Sequence, residues 1–396
     1  MLQRAILILF AFIGLLPMSG QAKRYTVMVS LDGFRSDYAL AYRTPFIDSL
    51  TKMGVSVPLQ PSFPSKTFPN HYTLVTGLAP DHHGVIANAF YDLATGRTFS
   101  LGDKSTKQDP RFWGGEPIWN TAARQGVKVG VVYWPGSDVK INGRYPDYYH
   151  DYEQKPLLSF AERVSEVARY LRLPEAERPQ LVLAYFEEPD HSGHVYGPSS
   201  PETRDAVERM DCLIGELYST LRTLPERDSI NLIVLSDHGM SAVGADRMVD
   251  PFKYISKEWV ERIQYDYPTH VWPKRGCEAK ILKGLAAMPH VRVWRKNEVP
   301  AYLRYGTNPN IGPVVINPDL GWTIGNRMPR VKGTHGFDPT SADMQALFRA
   351  VGPDFKVGLH LPDALDNTSV YPLLCRLLGI SPAACDGRLP SEMLGR

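Results

Sequence analysis

The sequence predicts an α/β fold with a mostly parallel central sheet and helices on both faces, and three observations carry the prediction. Short β-branched and apolar runs alternate with segments of helical periodicity, as strand–helix–strand units require. The runs are apolar throughout rather than alternating, the mark of strands covered on both faces. Three of them run into acidic and imidazole side chains, and open α/β sheets place their sites at the carboxyl ends of such strands.

In chain order, Met1-Leu2-Gln3-Arg4 brings a positive charge, Ala5 to Leu16 is almost wholly apolar, and Gly20-Gln21-Ala22 offers small residues. That is a signal-peptide pattern over 1–22, with cleavage after Ala22. The apolar run is short for a bilayer span, no later stretch approaches it, and no Cys follows it for a lipid anchor. The expectation is a mature chain, 23–396, without a membrane anchor, at a periplasmic or secreted address.

Tyr25–Leu31 reads as the first strand and runs into Asp32. Thr67 precedes Phe68-Pro69 and a helical run, His71 to Val75, that ends near Gly77. Its hydroxyl therefore sits at a helix N-terminus, where free backbone N–H groups and the dipole favour an anion. Taken alone, such a threonine is more often a simple N-cap than a nucleophile. Lys128–Tyr133 is the next strand, then Leu181–Phe186, which leads into Asp190-His191-Ser192-Gly193-His194. A helix starts with Ser200 as N-cap and Pro201 at its first position, with Val207, Met210, Ile214, Leu217 and Leu221 as its apolar stripe. Ile230–Leu235 follows and ends in Ser236-Asp237-His238. From about 250 to 328, short strand candidates (Cys277–Leu282, Val291–Arg295, Val314–Ile316) lie among turn residues, an inserted lobe or cap. The chain then rejoins the core through Met344–Val351 and Tyr371–Leu378, after Gly333-Thr334-His335-Gly336-Phe337.

Asp32, Asp190, Asp237, His194, His238 and His335 form a ligand set for two borderline metal ions, and zinc accepts both donor types. Net charge is only +2, from 44 basic and 42 acidic residues spread along the chain, so no nucleic-acid-binding face is expected. Four cysteines fit an oxidising compartment without making a disulfide scaffold. Cys375 and Cys385 flank a turn and are a candidate pair; Cys212 and Cys277 read as small buried hydrophobes.

Asp32-Gly33-Phe34-Arg35, Lys66-Thr67-Phe68-Pro69-Asn70-His71-Tyr72, Gly115-Glu116-Pro117-Ile118-Trp119, Trp134-Pro135-Gly136-Ser137, Asp190-x-x-Gly193-His194-x-Tyr196-Gly197-Pro198, Ser236-Asp237-His238-Gly239-Met240 and His335-Gly336 occur together and in order. In this the chain resembles the nucleotide pyrophosphatase/phosphodiesterase family of the alkaline phosphatase superfamily, in the form of a single-domain bacterial member. The resemblance implies an alkaline-phosphatase-like fold and two zinc ions, one on Asp190, His194 and His335, the other on Asp32, Asp237 and His238. It makes Thr67, between the two ions, a nucleophile that is transiently phosphorylated. Asn88 becomes an amide donor to a phosphate oxygen, though alone it would read as turn chemistry. Phe68, Tyr152 and Tyr185 match positions where the family stacks a nucleobase, whereas an isolated strand tyrosine such as Tyr185 is ordinarily core. One departure is Trp113-Gly114, where the family often has lysine before Gly-Glu-Pro-Ile-Trp.

The implied activity is hydrolysis of nucleotide phosphodiester and pyrophosphate bonds to nucleoside 5′-monophosphates, with a small nucleotide or phosphodiester as substrate. A choline- or glycerol-headgroup phosphodiesterase is an alternative, its aromatic residues caging a quaternary ammonium. A phosphomonoesterase or phosphonate or sulfate hydrolase on the same scaffold is another; a monoester dianion would want an Arg or Lys clamp, and Arg35 and Lys66 read as structural or solvated. A non-catalytic binding protein is disfavoured by the complete ligand set.

Overall fold

The computed structural model describes residues 23–327 and 330–395. The expected signal peptide, 1–22, lies outside the described residues, as does Met328 at the lobe's edge.

The chain forms β1 (Tyr25–Leu31), α1 (Pro45–Met53), β2 (Val55–Ser56), α2 (Thr67–Thr76) and α3 (Ile118–Ala123). Next come β3 (Val129–Val132), β4 (Tyr148–Tyr149), α4 (Phe160–Leu171), β5 (Leu181–Phe186), α5 (Asp190–Tyr196), α6 (Pro201–Arg222) and β6 (Ile230–Leu235). A separate group holds β7 (Val260–Gln264), β8 (Thr269–Pro273), α7 (Glu278–Leu285), β9 (Val291–Arg295) and β10 (Val314–Pro318). The chain then returns through β11 (Phe348–Val351), β12 (Leu359–His360) and α8 (Val370–Leu378).

The central sheet runs β12-β2-β11-β6-β1-β5-β3-β4. β1 lies between β5 and β6, parallel to both, with Ser30 beside Tyr185 on one side and Leu235 on the other. The three strands therefore end level, and Asp32, Asp190 and Asp237 emerge at one edge. β3 and β4 continue the parallel set, whereas β11 is antiparallel to β6 and β2.

All seven residues of β1 are buried, and alternate side chains enter opposite cores. Met28 packs with α2, α3 and α8 through Leu74, Trp119 and Leu374; Val27 and Val29 pack with α1, α4 and α6 through Ile47, Val167 and Ile214. On α6, the Ser200 hydroxyl accepts the Thr203 N–H, and Val207, Met210, Ile214, Leu217 and Leu221 are all buried. Each such burial contributes roughly 1.5–3 kcal/mol before entropy.

The second group is an antiparallel sheet, β7-β8-β10-β9, with a core of Val271, Ile281, Leu285, Val314 and Ile316. Cys277–Leu282, expected as a strand, is instead the N-cap and first half of α7. Glu, Ala, Lys and Leu are good helix formers, and Ile281 and Leu285, four apart, bury one face. The strands β7 and β8 were not among the expected elements. All four cysteines are free thiols, so the candidate pair Cys375 and Cys385 is not bridged. Cys375 is buried in the core from α8, while the Cys385 thiol lies 3.7 Å from the Gly387 carbonyl.

Candidate active site

Two triads gather at the level ends of β1, β5 and β6. Asp190, His194 and His335 form one; Asp32, Asp237 and His238 form the other, and within each the donor atoms lie within 4.8 Å of one another. The His194 and His335 Nε2 atoms lie 3.4 and 3.7 Å from Asp190 carboxylate oxygens, and His238 Nε2 lies 3.4 Å from Asp32 and 3.0 Å from Asp237. The triads adjoin: the His238 and His335 rings stack with centroids 3.6 Å apart.

The imidazoles are oriented as ligands. Each Nδ1 lies 2.8 Å from a backbone carbonyl, His194 from Gly333, His238 from Gly239 and His335 from Ser65. A carbonyl only accepts, so Nδ1 carries a proton and Nε2 is the nitrogen turned toward the carboxylates, the one left to meet a metal. Burial, with His238, Lys66 and His194 nearby, holds His335 well below its usual range and so neutral. Asp32 Oδ1, Asp190 Oδ1 and Asp237 Oδ2 are buried without a hydrogen-bond partner. Burial and the charges of Asp237 and Asp190 push Asp32 well above the carboxylate range. Orphaned carboxylate oxygens facing imidazole Nε2 atoms suit borderline divalent cations, which would offset the crowding of negative charge. The donor set fits zinc.

Backbone geometry brings the ligands together. Gly33 has φ 67°, and a Cβ there would lie 2.8 Å from Asp190 Cβ, so only glycine lets β1 turn this close to α5. Asp190 to His194 lies in the helix α5. The i, i+4 spacing puts both ligands on one face, and Gly193 is small because it packs on Met240.

Thr67 opens α2, with Lys66 in the N-cap position, so Thr67 is not the cap. Its hydroxyl lies 3.2 Å from His238 Nε2, within hydrogen-bond reach of the Asp32 triad. Asn88 Oδ1 accepts the Phe68 N–H at 3.1 Å, which leaves the amide NH2 as the free donor beside Thr67. A cavity of about 330 Å³ opens from the triads, at the low end of the ~300–1,000 Å³ usual for small-ligand sites. Thr67, Phe68, Asn88, Tyr152 and Tyr185 all line it, and no lining residue comes from 250–327.

The structure adds roles and side chains to those read from the motifs. Tyr185 lines the cavity, yet its hydroxyl donates to Asp32 at 2.6 Å, which ties it to the metal-type cluster as well as to the wall. Burial, then Asp32, holds this phenol well above its usual range, so it remains a donor. His71, expected to be an ordinary helix residue, is fully buried with Nδ1 2.9 Å from the Thr67 carbonyl and 3.2 Å from Asp237 Oδ2. Tyr133, Trp134 and Lys107 also line the cavity, with Lys107 paired to Glu153. Of the two cations near the motifs, Arg35 is bound to Asp37, Asp343 and the Met240 carbonyl, and Lys66 to Asp266.

Fold and site together define an α/β protein with two metal-type ligand triads beside a helix-terminal hydroxyl. The model of the type I phosphodiesterase/nucleotide pyrophosphatase family matches residues 26–338. The chain belongs to that family, and its fold is the alkaline-phosphatase-like α/β fold of its relatives. It is 37% identical over 379 residues to human ectonucleotide pyrophosphatase/phosphodiesterase family member 1, covering 91% of this chain and 40% of that protein. It is 36% identical to a venom phosphodiesterase of Crotalus durissus collilineatus, covering 91% of this chain and 45% of the relative. The chain thus spans less than half the length of these relatives. Murine ectonucleotide pyrophosphatase/phosphodiesterase 5 superposes with a TM-score of 0.88 at 34% identity, covering 94% of this chain and 100% of that one. A second structure of that protein, an inactive threonine-to-alanine form in complex with AMP, superposes with a TM-score of 0.87 at 34% identity and 94% coverage of this chain.

Proposed function

We propose that this chain is a dinuclear zinc phosphodiesterase/nucleotide pyrophosphatase that releases nucleoside 5′-monophosphates by double displacement at phosphorus. The observation that carries it is the Thr67 hydroxyl, uncapped at the head of α2 and beside both triads. Asp190, His194 and His335 would hold one zinc and Asp32, Asp237 and His238 the other. Bound there, zinc would polarise phosphoryl oxygens and lower the pKa of a hydroxyl or water.

Thr67 Oγ1 attacks phosphorus in line as it gives up its proton, and the leaving oxygen departs with the bonding pair and takes up a proton, to give a nucleotidyl ester of Thr67. The Asn88 NH2 and the N-terminal dipole of α2 stabilise the charge that develops on the non-bridging oxygens. Attack by water from the vacated side then breaks the Thr67–phosphorus bond, frees the nucleoside monophosphate and restores the hydroxyl. The aromatic residues Phe68 and Tyr152 offer the base a stacking surface. A nucleotide substrate is further supported by the relative seen with AMP as an inactive threonine-to-alanine form. With Arg35 and Lys66 committed to acidic partners, neither clamps a monoester dianion. Export to the periplasm or exterior, with 1–22 removed and 23–396 as the catalytic domain, rests on the N-terminal sequence pattern alone.

The test compares kcat/KM of zinc-loaded protein for nitrophenyl thymidine 5′-monophosphate, nitrophenyl phosphate and nitrophenyl phosphocholine. A preference of several decades for the nucleotide ester is expected. Preference for phosphocholine would turn the aromatic wall into a cation cage and reject the nucleotide assignment; preference for the monoester would reject the diesterase assignment.

A further inference from the structure

Tyr152 is held more firmly than a wall residue of a plain cavity needs to be. Its hydroxyl donates to Glu187 Oε1 at 2.8 Å. Glu187 in turn receives both ends of the Arg163 guanidinium, Nη1 on Oε2 and Nη2 on Oε1, each at 2.8 Å. Arg163 is only 2% exposed. Its Nη1 also donates to the Tyr185 carbonyl at 2.7 Å, its Nε to the Leu158 carbonyl at 3.1 Å, and its guanidinium lies 4.7 Å from the Tyr133 ring centroid. Tyr133 meets the Tyr152 ring at 88°, centroids 5.6 Å apart, and its hydroxyl accepts the Leu158 N–H. The exposed Lys155 ammonium lies 4.7 Å from the Tyr152 centroid.

An ion pair that buries its arginine is a poor device for stability alone, since apolar residues of similar volume commonly serve as well. A bidentate guanidinium–carboxylate pair does fix direction, and here the direction is spent on a cavity side chain. Tyr133 points the same way: it has φ 61°, a left-handed conformation that a bulky residue rarely adopts, and it too lines the cavity beside Tyr152. Glu187 lies three residues before Asp190, and the arginine holds the backbone of Tyr185, whose hydroxyl reaches Asp32. One strut thus connects the aromatic wall to the strand end that carries the metal-type ligands.

Resting on the nucleotide reading above, we infer that the Arg163–Glu187 pair is a positioning device that fixes the Tyr152 ring in the cavity wall and so sets the preference for esters carrying an aromatic base. Neither residue of the pair touches the reacting atoms; both act through Tyr152. Ordering the ring before substrate arrives removes an entropic cost of binding, so the effect belongs to KM and to base-bearing substrates.

The experiment measures kcat and KM of the zinc-loaded full chain for nitrophenyl thymidine 5′-monophosphate and for methyl nitrophenyl phosphate, which has no base. In Tyr152→Phe, which keeps the ring and removes only its tether, KM for the nucleotide ester should rise about 5-fold, more than kcat falls and more than KM for the base-free ester changes. Glu187→Gln should repeat this split, and the double variant should be no weaker than the weaker single. An unchanged KM in Tyr152→Phe, an equal loss on both substrates, or multiplicative losses in the double variant would each overturn the inference. If Glu187→Gln does not fold, Tyr152→Phe decides alone. Wild-type protein that does not favour the nucleotide ester over the base-free one would overturn the nucleotide reading itself, an outcome distinct from a wild-type preference that Tyr152→Phe retains in full.

Discussion

The Thr67 hydroxyl lies 3.2 Å from His238 Nε2, a contact that a metal ion on that nitrogen would replace. Removing the hydroxyl should therefore spare metal binding and abolish chemistry: Thr67→Ala is expected to bind zinc at wild-type stoichiometry and to lose several decades of kcat. Near-wild-type turnover in a zinc-loaded preparation would reject the nucleophile. Tyr185→Phe addresses the Asp32 ligand instead, because the phenol is the donor that orients one carboxylate oxygen. Zinc affinity should fall ~10–100-fold with little change in folding, read by competition with a chromophoric chelator; an unchanged affinity would make Tyr185 a wall residue only. Asp32 and the Asp237-His238 pair were legible in the sequence because they follow apolar strands directly; Asp190, His194, His335 and Thr67 stood out only when the motifs were read together. Tyr185 and His71 were not legible in these roles, since their partners, Asp32 and Asp237, lie more than 150 positions away in the chain.

At the scale of elements, the site exists because β1, β5 and β6 end level and Gly33 lets the first turn lie against α5. Gly33→Ala would place a methyl 2.8 Å from Asp190 Cβ on a backbone with positive φ. Zinc affinity is expected to drop at least about 10-fold, with roughly 1–3 kcal/mol of lost stability from the strain; unchanged zinc affinity would mean that Asp190 is not set by this contact. Strands with unbroken apolar runs were readable to the residue, as Tyr25–Leu31, Leu181–Phe186 and Ile230–Leu235 show. Short amphipathic segments were not: Cys-Glu-Ala-Lys-Ile-Leu fits a strand until Leu285 supplies the next turn of a helix. Likewise Asp-His-Ser-Gly-His carries no apolar stripe, and α5 is declared only by its packing on Met240.

Across the whole molecule, buried neutral imidazoles couple stability to pH away from the metal-type site. Burial pushes His83 down to about 3. Its Nδ1 accepts the Val85 N–H and its Nε2 donates to the Pro69 carbonyl, which leaves no room for a second proton. Unfolded, it titrates near ~6.5, so between ~6.5 and ~3 the unfolded chain binds a proton that the folded one refuses. Its stabilisation is complete above ~6.5 and is lost on acidification at about 1.4 kcal/mol per pH unit. Tm should therefore fall between pH 7 and pH 5, less steeply in His83→Asn; identical slopes would contradict this.

The most direct test of the double displacement is the stereochemical course at phosphorus. A nucleotide diester bearing a chiral phosphorothioate would be hydrolysed in 18O-labelled water and the configuration of the product determined. Attack by Thr67 and then by water inverts phosphorus twice, so overall retention is expected. Inversion would mean that water attacks the substrate directly, and the assignment of Thr67 as the nucleophile would be wrong.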